Sequence, residues 1–204
     1  MLSKSTKFFI FIVGLVICLS LIWLIIYFPK INPPEEKQDQ AYLENRPAQG
    51  NPRATIIITE YSDFFCSYCK QASFELEKLV SKYPDKIKLE FRYYPLSDSS
   101  FLVARAAECA QAQNKFWPYH DLLFAHSSNI SSSSLISMAS QVGMDLNSFN
   151  QCLAEQETLA VVNYDLSQAV RMGVRGTPTI FVNGQEMSLS AVEAQVERLI
   201  GMGQ

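Results

Sequence analysis

The sequence has no excess of positive charge, because 17 Lys and Arg stand against 20 Asp and Glu in 204 residues. The resulting net charge of −3 leaves no basic patch of the kind that nucleic-acid binding requires. The sequence also lacks a long run of like charge and an internal repeat, which excludes charged tails and repeat architectures. Since 48% of the residues are hydrophobic, the composition fits one globular domain plus an additional segment.

Histidine is scarce, and only His120 and His126 occur in the chain. A spacing of six residues places them on different faces of a helix, so they cannot share a metal ion from one helix. We therefore expect packing or surface positions for both histidines. We expect no metal ion and no cofactor in this protein.

Charged residues are also absent from residues 8–28, a continuous apolar run. About 20 apolar residues span a bilayer as a helix, and Lys4 and Lys7 before the run favour a cytoplasmic N-terminus. The alternative is a cleaved signal peptide, whose apolar region is usually about 7–15 residues long and precedes a small-x-small cleavage site. This run is longer and no such site follows it. We therefore expect residues 1–28 to be an uncleaved membrane anchor.

Residues 29–53 are rich in proline and in charged or polar side chains. Such a segment buries little apolar surface, so we expect an extended linker.

Cys18 lies inside the apolar run, where we expect it to face lipid or to pack. The four remaining cysteines lie outside, and an even number in an oxidising compartment permits two disulfides.

Residues 55–69 are the most informative stretch, because an apolar strand and a short turn lead to Cys66 and Cys69 at the start of a helix. A sulfur at a helix N-terminus lies in the positive end of the helix dipole, beside amides without an intrahelical partner. That position favours the thiolate, which is the nucleophile. We expect Cys66 to attack and Cys69, on the inward face of the helix, to resolve. Taken alone, such a pair is equally compatible with half a zinc site or a structural pair.

The hydrophobic periodicity predicts an α/β domain. A strand at residues 54–59 precedes a helix at residues 67–83, and a second strand follows at residues 87–93. Charged residues alternate with apolar ones in the second strand, which predicts one wetter face. A strand, a helix and a strand in this order form a parallel, right-handed βαβ unit.

Helical spacing alone is found in the region that follows, where we predict five helices. Beyond it, a strand begins near Pro178 and ends in Asn183-Gly184, a strong hairpin signal. A short partner strand and a last helix follow, with Ser190 and Glu193 as a capping box. The predicted domains are a thioredoxin-type frame at residues 54–97 and 174–204, and a helical domain at residues 98–173 inserted into it.

Three motifs in this order resemble the DsbA-like thioredoxin-fold thiol–disulfide oxidoreductases. They are EYSDFFCSYC at residues 60–69, FWPYH at residues 116–120 and GTPTIFVNG at residues 176–184. Each motif is weak alone, but their order and spacing together are specific, and the resemblance covers residues 51–200. It implies an α/β fold class, namely a thioredoxin fold of four or five strands with an inserted helical domain beside the active site.

The resemblance also implies roles for three residues. The peptide bond between Thr177 and Pro178 would be cis and would lie against the Cys66 sulfur, where the backbone of Thr177 can pair with an extended substrate. An ordinary proline at the start of a strand is the alternative. Glu60 would be a buried acid beneath the site, with a raised pKa that lets it shuttle the proton of Cys69. A carboxylate at a strand end that faces solvent is the alternative.

The residues between and before the two cysteines say less about the chemistry of the pair. Ser67 and Tyr68 replace the Pro-His pair of the most strongly oxidising members, so the potential is expected somewhere between about −270 and −120 mV. Asp63 is closer to Cys66 than Glu60 is, but its Ser-Asp turn favours an Asx-turn role.

Cys109 and Cys152 fall on the inner faces of two helices in the inserted domain. We expect a structural disulfide between them, worth about 4 kcal/mol in the chain-entropy model. Two buried free thiols or a second redox pair are the alternatives.

We expect a membrane-anchored extracytoplasmic thiol–disulfide oxidoreductase, most simply a dithiol oxidase that introduces disulfides into exported proteins. Its expected partners are exported proteins with cysteine pairs, a membrane redox partner that resets the active-site pair, and the membrane itself through residues 8–28. We expect a monomer in the bacterial cytoplasmic membrane, with its domain on the periplasmic or outer face. A thiol reductase or a disulfide isomerase would use the same fold. A tethered, non-catalytic domain in which the four outer cysteines hold zinc is the alternative from another class.

Overall fold

The computed structural model describes residues 4–31 and 45–202. The chain divides into two units, residues 1–45 and residues 46–204. The first unit contains helix α1, Lys4–Ile31, on which large apolar side chains such as Phe9, Leu15 and Trp23 are exposed. Over the residues that the structure describes, no helix is both long enough and apolar enough to qualify as a membrane span.

A five-stranded sheet is the centre of the second unit, with the order β1-β3-β2-β4-β5. Strands β2 and β3 are parallel, as predicted for the βαβ unit, and pair from Ile56 opposite Ile87 to Ser62 opposite Tyr93. The other neighbouring strands are antiparallel. The strands are β1 Ala48–Gly50, β2 Ile56–Ser62, β3 Ile87–Tyr93, β4 Thr179–Val182 and β5 Gln185–Met187.

Helices surround this sheet, and they include the predicted helix at residues 67–83 and the five helices predicted between β3 and β4. Helices α3 to α7 form a continuous helical block between β3 and β4 in the chain. The helices are α2 Ser67–Lys82, α3 Asp98–Ala112, α4 Phe116–Ala125, α5 Ser132–Gln141, α6 Leu146–Ala154, α7 Gln156–Arg171 and α8 Leu189–Met202.

Helix α2 positions the predicted cysteine pair, because its apolar residues recur on one face. Ala72 and Leu76 are buried in the core with Ile58 of β2 and Val196 of α8. Burial of each large aliphatic side chain contributes about 1.5–3 kcal/mol, so this face fixes the helix on the sheet. The helix ends where Tyr83 caps it, one residue before a proline that disfavours further helix.

The opposite face of the sheet carries a second, smaller core. Tyr61 of β2 and Phe181 of β4 pack there with Ala169 of α7 and Val174. Side chains alternate between the two faces of a strand. The even-numbered residues of β2, including Glu60 and Ser62, therefore share the face of Ile58 and α2.

The predicted linker at residues 29–53 is wrong at its C-terminal end. Ala48–Gly50 is a strand that pairs with Lys88 to Glu90 of β3, and Arg46 is buried. The polar, proline-rich sequence gave no strand pattern because this pairing uses backbone groups alone. The part of the linker between residues 32 and 44 lies outside the described residues.

The predicted wetter face of β3 is also wrong, because Glu90 and Arg92 are buried. Helix α7 packs against β3 on this side and brings Asp165 close to Arg92, with 3.7 Å between the charged atoms. Within the strand, Glu90 lies 2.6 Å from the Lys88 ammonium and 2.7 Å from the Arg92 guanidinium. The charged side chains of β3 therefore form an ion network with Asp165, and helix α7 covers this network.

The predicted capping box at the last helix is not formed. Helix α8 already begins at Leu189, so Ser190 lies inside the first turn and cannot be the N-cap residue. Glu193 instead pairs with Lys82 at the end of α2, at a distance of 2.8 Å.

Candidate active site

Cys66 is the N-cap residue of α2, and its sulfur accepts a hydrogen bond from the backbone N–H of Cys69 at 3.3 Å. This amide belongs to the first turn of the helix and has no carbonyl partner within the helix. The donated hydrogen bond and the helix dipole both favour negative charge on the sulfur. Cys66 is partly exposed, so an incoming sulfur atom can reach it.

Cys69 lies one turn further into the same helix and is fully buried. Burial raises the pKa of the Cys69 thiol to about 12. The contact with Cys66 acts in the same direction, whereas the Asp63 backbone and the Thr177 and Ser62 hydroxyl groups lower the pKa. The two thiols thus differ in access, as one attacking and one resolving sulfur require.

The loop before β4 closes the site from the other side. The peptide bond between Thr177 and Pro178 is cis, and the Cys66 thiol lies 3.5 Å from the Thr177 carbonyl oxygen. Beside this contact is a cleft of about 570 Å³. The cleft is lined by Gly173, Arg175, Gly176, Thr177, Pro178, Thr179 and Glu186.

Glu60 is buried at the end of β2 beneath this site. Burial raises its pKa from 4.5 to about 8, and the nearby Glu77 carboxylate adds to the rise. The Ser62 hydroxyl donates to Glu60 Oε1 at 2.9 Å and acts in the opposite direction. Within residues 45–202, no Lys or Arg contributes to the Glu60 pKa, so this carboxyl group is neutral over a wide pH range.

Asp63 shapes the turn that leads into α2. Its Oδ1 atom accepts from the Phe65 N–H at 2.8 Å, which confirms the predicted Asx turn. Its Oδ2 atom accepts from the Leu96 N–H at 2.8 Å, and its carbonyl oxygen accepts from the Cys66 N–H at 3.0 Å. Asp63 therefore stabilises the turn that precedes Cys66, and we assign it no role in proton transfer.

Cys109 of α3 and Cys152 of α6 form a disulfide, with their Cα atoms 5.8 Å apart. The pair lies within the helical block, whereas Cys66 and Cys69 are free thiols. Since two of the four outer cysteines are bonded to each other, they cannot complete a four-thiolate zinc site.

One group of side chains in the described part of the chain has metal-binding geometry. Ligand atoms of Glu77, His120 and Asp121 all lie within 4.8 Å of one another. Both ring nitrogens of His120 already have hydrogen-bonding partners. Nδ1 lies 2.9 Å from Asp121 Oδ1, and Nε2 lies 3.3 Å from Ser73 Oγ. As expected, His120 has a packing position, buried among aromatic rings. His126 is on the surface.

The family model described as thioredoxin matches residues 43–201. The chain belongs to the thioredoxin family. A solved thioredoxin-like oxidoreductase from Silicibacter pomeroyi DSS-3 superposes with a TM-score of 0.71 at 27% identity, covering 80% of this chain and 97% of that one. The predicted thioredoxin fold and the predicted class, a thioredoxin-fold oxidoreductase, are thereby confirmed.

A second solved structure of similar fold is the thiol-disulfide exchange protein alpha-DsbA2 from Wolbachia pipientis. Its TM-score is 0.69 at 21% identity, and the superposition covers 80% of this thioredoxin-family chain and 98% of the Wolbachia chain. At this identity the likeness concerns the fold alone.

Curated relatives match this chain over only a small part of their own length. The Na(+)/H(+) antiporter NhaA 3 of Salinispora tropica is 35% identical over 140 residues, which is 67% of this chain but 21% of the antiporter. The chain thus spans about a fifth of the length of the curated relatives it matches. The activity of the whole antiporter is not carried over to this thioredoxin-family chain.

The structure brings Cys66, Cys69, Thr177 and Pro178 together at one end of the sheet, with Glu60 beneath them. Cys109 and Cys152 lie apart in the helical block. Sequence reasoning missed Ser62, which donates a hydrogen bond to Glu60 and lowers the pKa of the Cys69 thiol. Its position two residues after Glu60 on the same strand face was the available signal.

Proposed function

We propose that the chain is a membrane-anchored extracytoplasmic dithiol oxidase that introduces disulfides into exported proteins through Cys66 and Cys69. The observation that carries this proposal is the position of the Cys66 sulfur. It lies 3.3 Å from the helix-terminal N–H of Cys69 and 3.5 Å from the carbonyl oxygen of Thr177. This combination leaves one reactive sulfur between a thiolate-stabilising helix end and an open cleft.

In the oxidising direction the enzyme begins with a Cys66–Cys69 disulfide. A substrate thiolate attacks Cys66 Sγ, the bond between the two enzyme sulfurs breaks, and Cys69 leaves as a thiolate that takes up a proton. A second substrate thiolate then attacks the substrate sulfur of the mixed disulfide, and Cys66 leaves. The substrate gains a disulfide, and the reduced enzyme needs a membrane partner with a two-electron acceptor to restore its own.

The oxidase direction rests on the hydrogen bond that Cys66 Sγ accepts at the helix N-terminus. A contact that stabilises the reduced form makes the disulfide a stronger oxidant. An extracytoplasmic location is supported by the Cys109–Cys152 disulfide, because disulfides persist mainly in oxidising compartments. The anchor is supported by the uncharged, apolar run at residues 8–28. At about 1.5 Å per residue, that run matches a bilayer core of about 30 Å.

Cysteine variants of the full-length chain in detergent test the proposal. Cys66→Ser should abolish oxidation of a peptide with two cysteines. The control variant Cys18→Ser removes a free thiol that lies well before Cys66 in the chain, and it should have no effect on this oxidation. Cys69→Ser should accumulate a mixed disulfide with exported proteins in cells. Undiminished peptide oxidation by Cys66→Ser would rule the proposal out.

The direction of the reaction needs its own measurement. Equilibration of the active-site pair with glutathione buffers gives its potential. A potential of about −120 mV fits an oxidase. A potential of about −270 mV would instead indicate a reductase and would contradict this proposal. N-terminal sequencing of the membrane fraction decides whether residues 1–28 persist, since a cleaved signal peptide would leave a shorter chain.

A further inference from the structure

We propose that Ser62 is a positioning residue that relays the proton between Cys69 and Glu60. This inference rests on the proposed thiol–disulfide exchange and adds a residue to its proton path. Neither the C-x-x-C motif nor the proline loop contains this serine.

Alternation along β2 gives the first argument. Glu60 and Ser62 are two residues apart, so their side chains lie on the same face of the strand. That face also carries Ile58, which packs with Ala72 of α2. Cys69 lies on the same inward face of α2, one turn before Ala72. The strand and the helix therefore bring the carboxyl group, the hydroxyl group and the buried thiol to one place.

Burial and hydrogen bonding give the second argument. Ser62 and Glu60 are each only 2% exposed, and the Ser62 hydroxyl donates to Glu60 Oε1 at 2.9 Å. The Ser62 hydroxyl group also lowers the pKa of the Cys69 thiol. Ser62 is thus hydrogen-bonded to the proton acceptor and acts on the proton donor.

Thr177 gives the third argument, because its hydroxyl group acts on the same sulfur in a different way. Thr177 Oγ1 is buried and has no hydrogen bond of ordinary geometry within the described residues, yet it also favours the Cys69 thiolate. It has no link to an acid. We therefore assign charge stabilisation to Thr177 and proton transfer to Ser62, since a hydroxyl group can donate one hydrogen bond while it accepts another.

The transfer balances in both directions. When Cys69 leaves the enzyme disulfide as a thiolate, it takes the Ser62 hydroxyl proton, and the protonated Glu60 replaces that proton on Ser62 Oγ. When the Cys69 thiol resolves a mixed disulfide, its proton passes to Ser62 Oγ and the serine proton passes to the Glu60 carboxylate. The Cys69 thiolate then attacks Cys66 Sγ, a new sulfur–sulfur bond forms, and the bound partner leaves as a thiolate.

A two-step reaction with 5,5′-dithiobis(2-nitrobenzoate) separates the roles of the two thiols. In the reduced full-length Cys18→Ser chain, Cys66 attacks the reagent and releases one thionitrobenzoate, and Cys69 then resolves the adduct and releases a second. Ser62→Ala should leave the first release unchanged and slow the second about 10- to 100-fold, the range expected when an acid–base group is lost. In Glu60→Gln, where the acceptor is gone, Ser62→Ala should cause no further loss.

Ser62→Thr and Ser62→Val form a matched pair, because they have similar shapes and only the first has a hydroxyl group. The threonine variant should keep the rate of the second release, and the valine variant should lose it, even if the alanine variant fails to fold. Equal rates for this pair, a Ser62→Ala rate equal to that of the parent, or additive losses with Glu60→Gln would overturn the relay while leaving the exchange activity intact. A parent chain that releases no thionitrobenzoate would overturn the proposed function instead, and the relay with it.

Discussion

Two buried carboxyl groups, Glu60 and Asp165, lie on opposite faces of the same sheet and differ in their surroundings. Asp165 is fully buried, and it accepts from the Arg46 guanidinium and from the Tyr93 N–H, both at 3.0 Å. Glu60 accepts a hydrogen bond from the Ser62 side chain and has an acidic neighbour, Glu77. Burial raises the pKa of both acids, but only Asp165 has cations that act against the rise.

The difference indicates what each acid does. A buried charge with cationic partners and hydrogen bonds is a structural element whose removal leaves those partners unpaired. A buried carboxyl group without a cation changes its protonation state easily near neutral pH, which suits proton transfer. We therefore infer that the Asp165 face stabilises the domain, whereas the Glu60 face carries the proposed proton transfer.

The largest expected effect is on the Asp165 face. Asp165→Asn should destabilise the domain by about 3–5 kcal/mol, because it removes the buried carboxylate that lies 3.0 Å from the Arg46 guanidinium and 3.7 Å from the Arg92 guanidinium. Chemical denaturation measures this loss, and the rate of the Cys66 reaction per folded molecule should not change. A loss below about 1 kcal/mol would show that the ion network is not structural.

Glu60→Gln should have the opposite sign. The Glu60 pKa is raised from 4.5 in the unfolded chain to about 8 in the folded chain, so between these values only the folded state holds the proton. Stability is therefore lost as the pH rises from 4.5 to 8, on the order of 5 kcal/mol in total. Glu60→Gln should recover that amount at pH 8 and nothing near pH 4, as measured by denaturation at both pH values. A pH-independent difference would contradict the assignment.

The disulfide tests whether the helical block is separate from the chemistry. Replacing both Cys109 and Cys152 by serine should cost about 2–4 kcal/mol, because the cross-link closes a long loop in the unfolded chain. Peptide oxidation at low temperature should continue at the parent rate. A selective loss of oxidation in a folded double variant would instead assign this pair a redox role.

The smallest expected effect concerns β1. Trp117 Nε1 donates to the Ala48 carbonyl oxygen at 2.9 Å, and this hydrogen bond joins α4 to the edge strand. Trp117→Phe should cost about 1 kcal/mol, the usual net value of one hydrogen bond. Hydrogen exchange should be faster in β1 than in the parent, and β2 serves as the internal control. Unchanged exchange at β1 would show that the bond contributes nothing there.

Much of the frame follows from local sequence. The parallel pair β2–β3 and helix α2 were predictable because their apolar residues recur at strand and helix periods. Strand β1 was not, since its pairing with β3 is made by backbone groups and leaves no side-chain pattern. The buried state of Glu90 and Arg92 was also hidden, because Asp165, which helps to compensate it, comes more than 70 positions later in the chain.

The candidate site shows the same division. Cys66, Cys69 and Glu60 were found from their positions at a helix start and at the end of an apolar strand. Ser62 was not, because a serine beside a turn is usually a turn residue. Its proposed role depends on three groups that are brought together only in the folded chain.

The ion pair between Arg46 and Asp165 has a mechanical consequence. Arg46 is the first residue of the domain unit, so a pull on the preceding chain enters the domain at this point. That force would act first on a buried guanidinium–carboxylate bond and on the short β1 pairing. Cys66 and the proline loop lie on other strands and helices, so a tethered enzyme could bear tension without a shift in the geometry of its thiols.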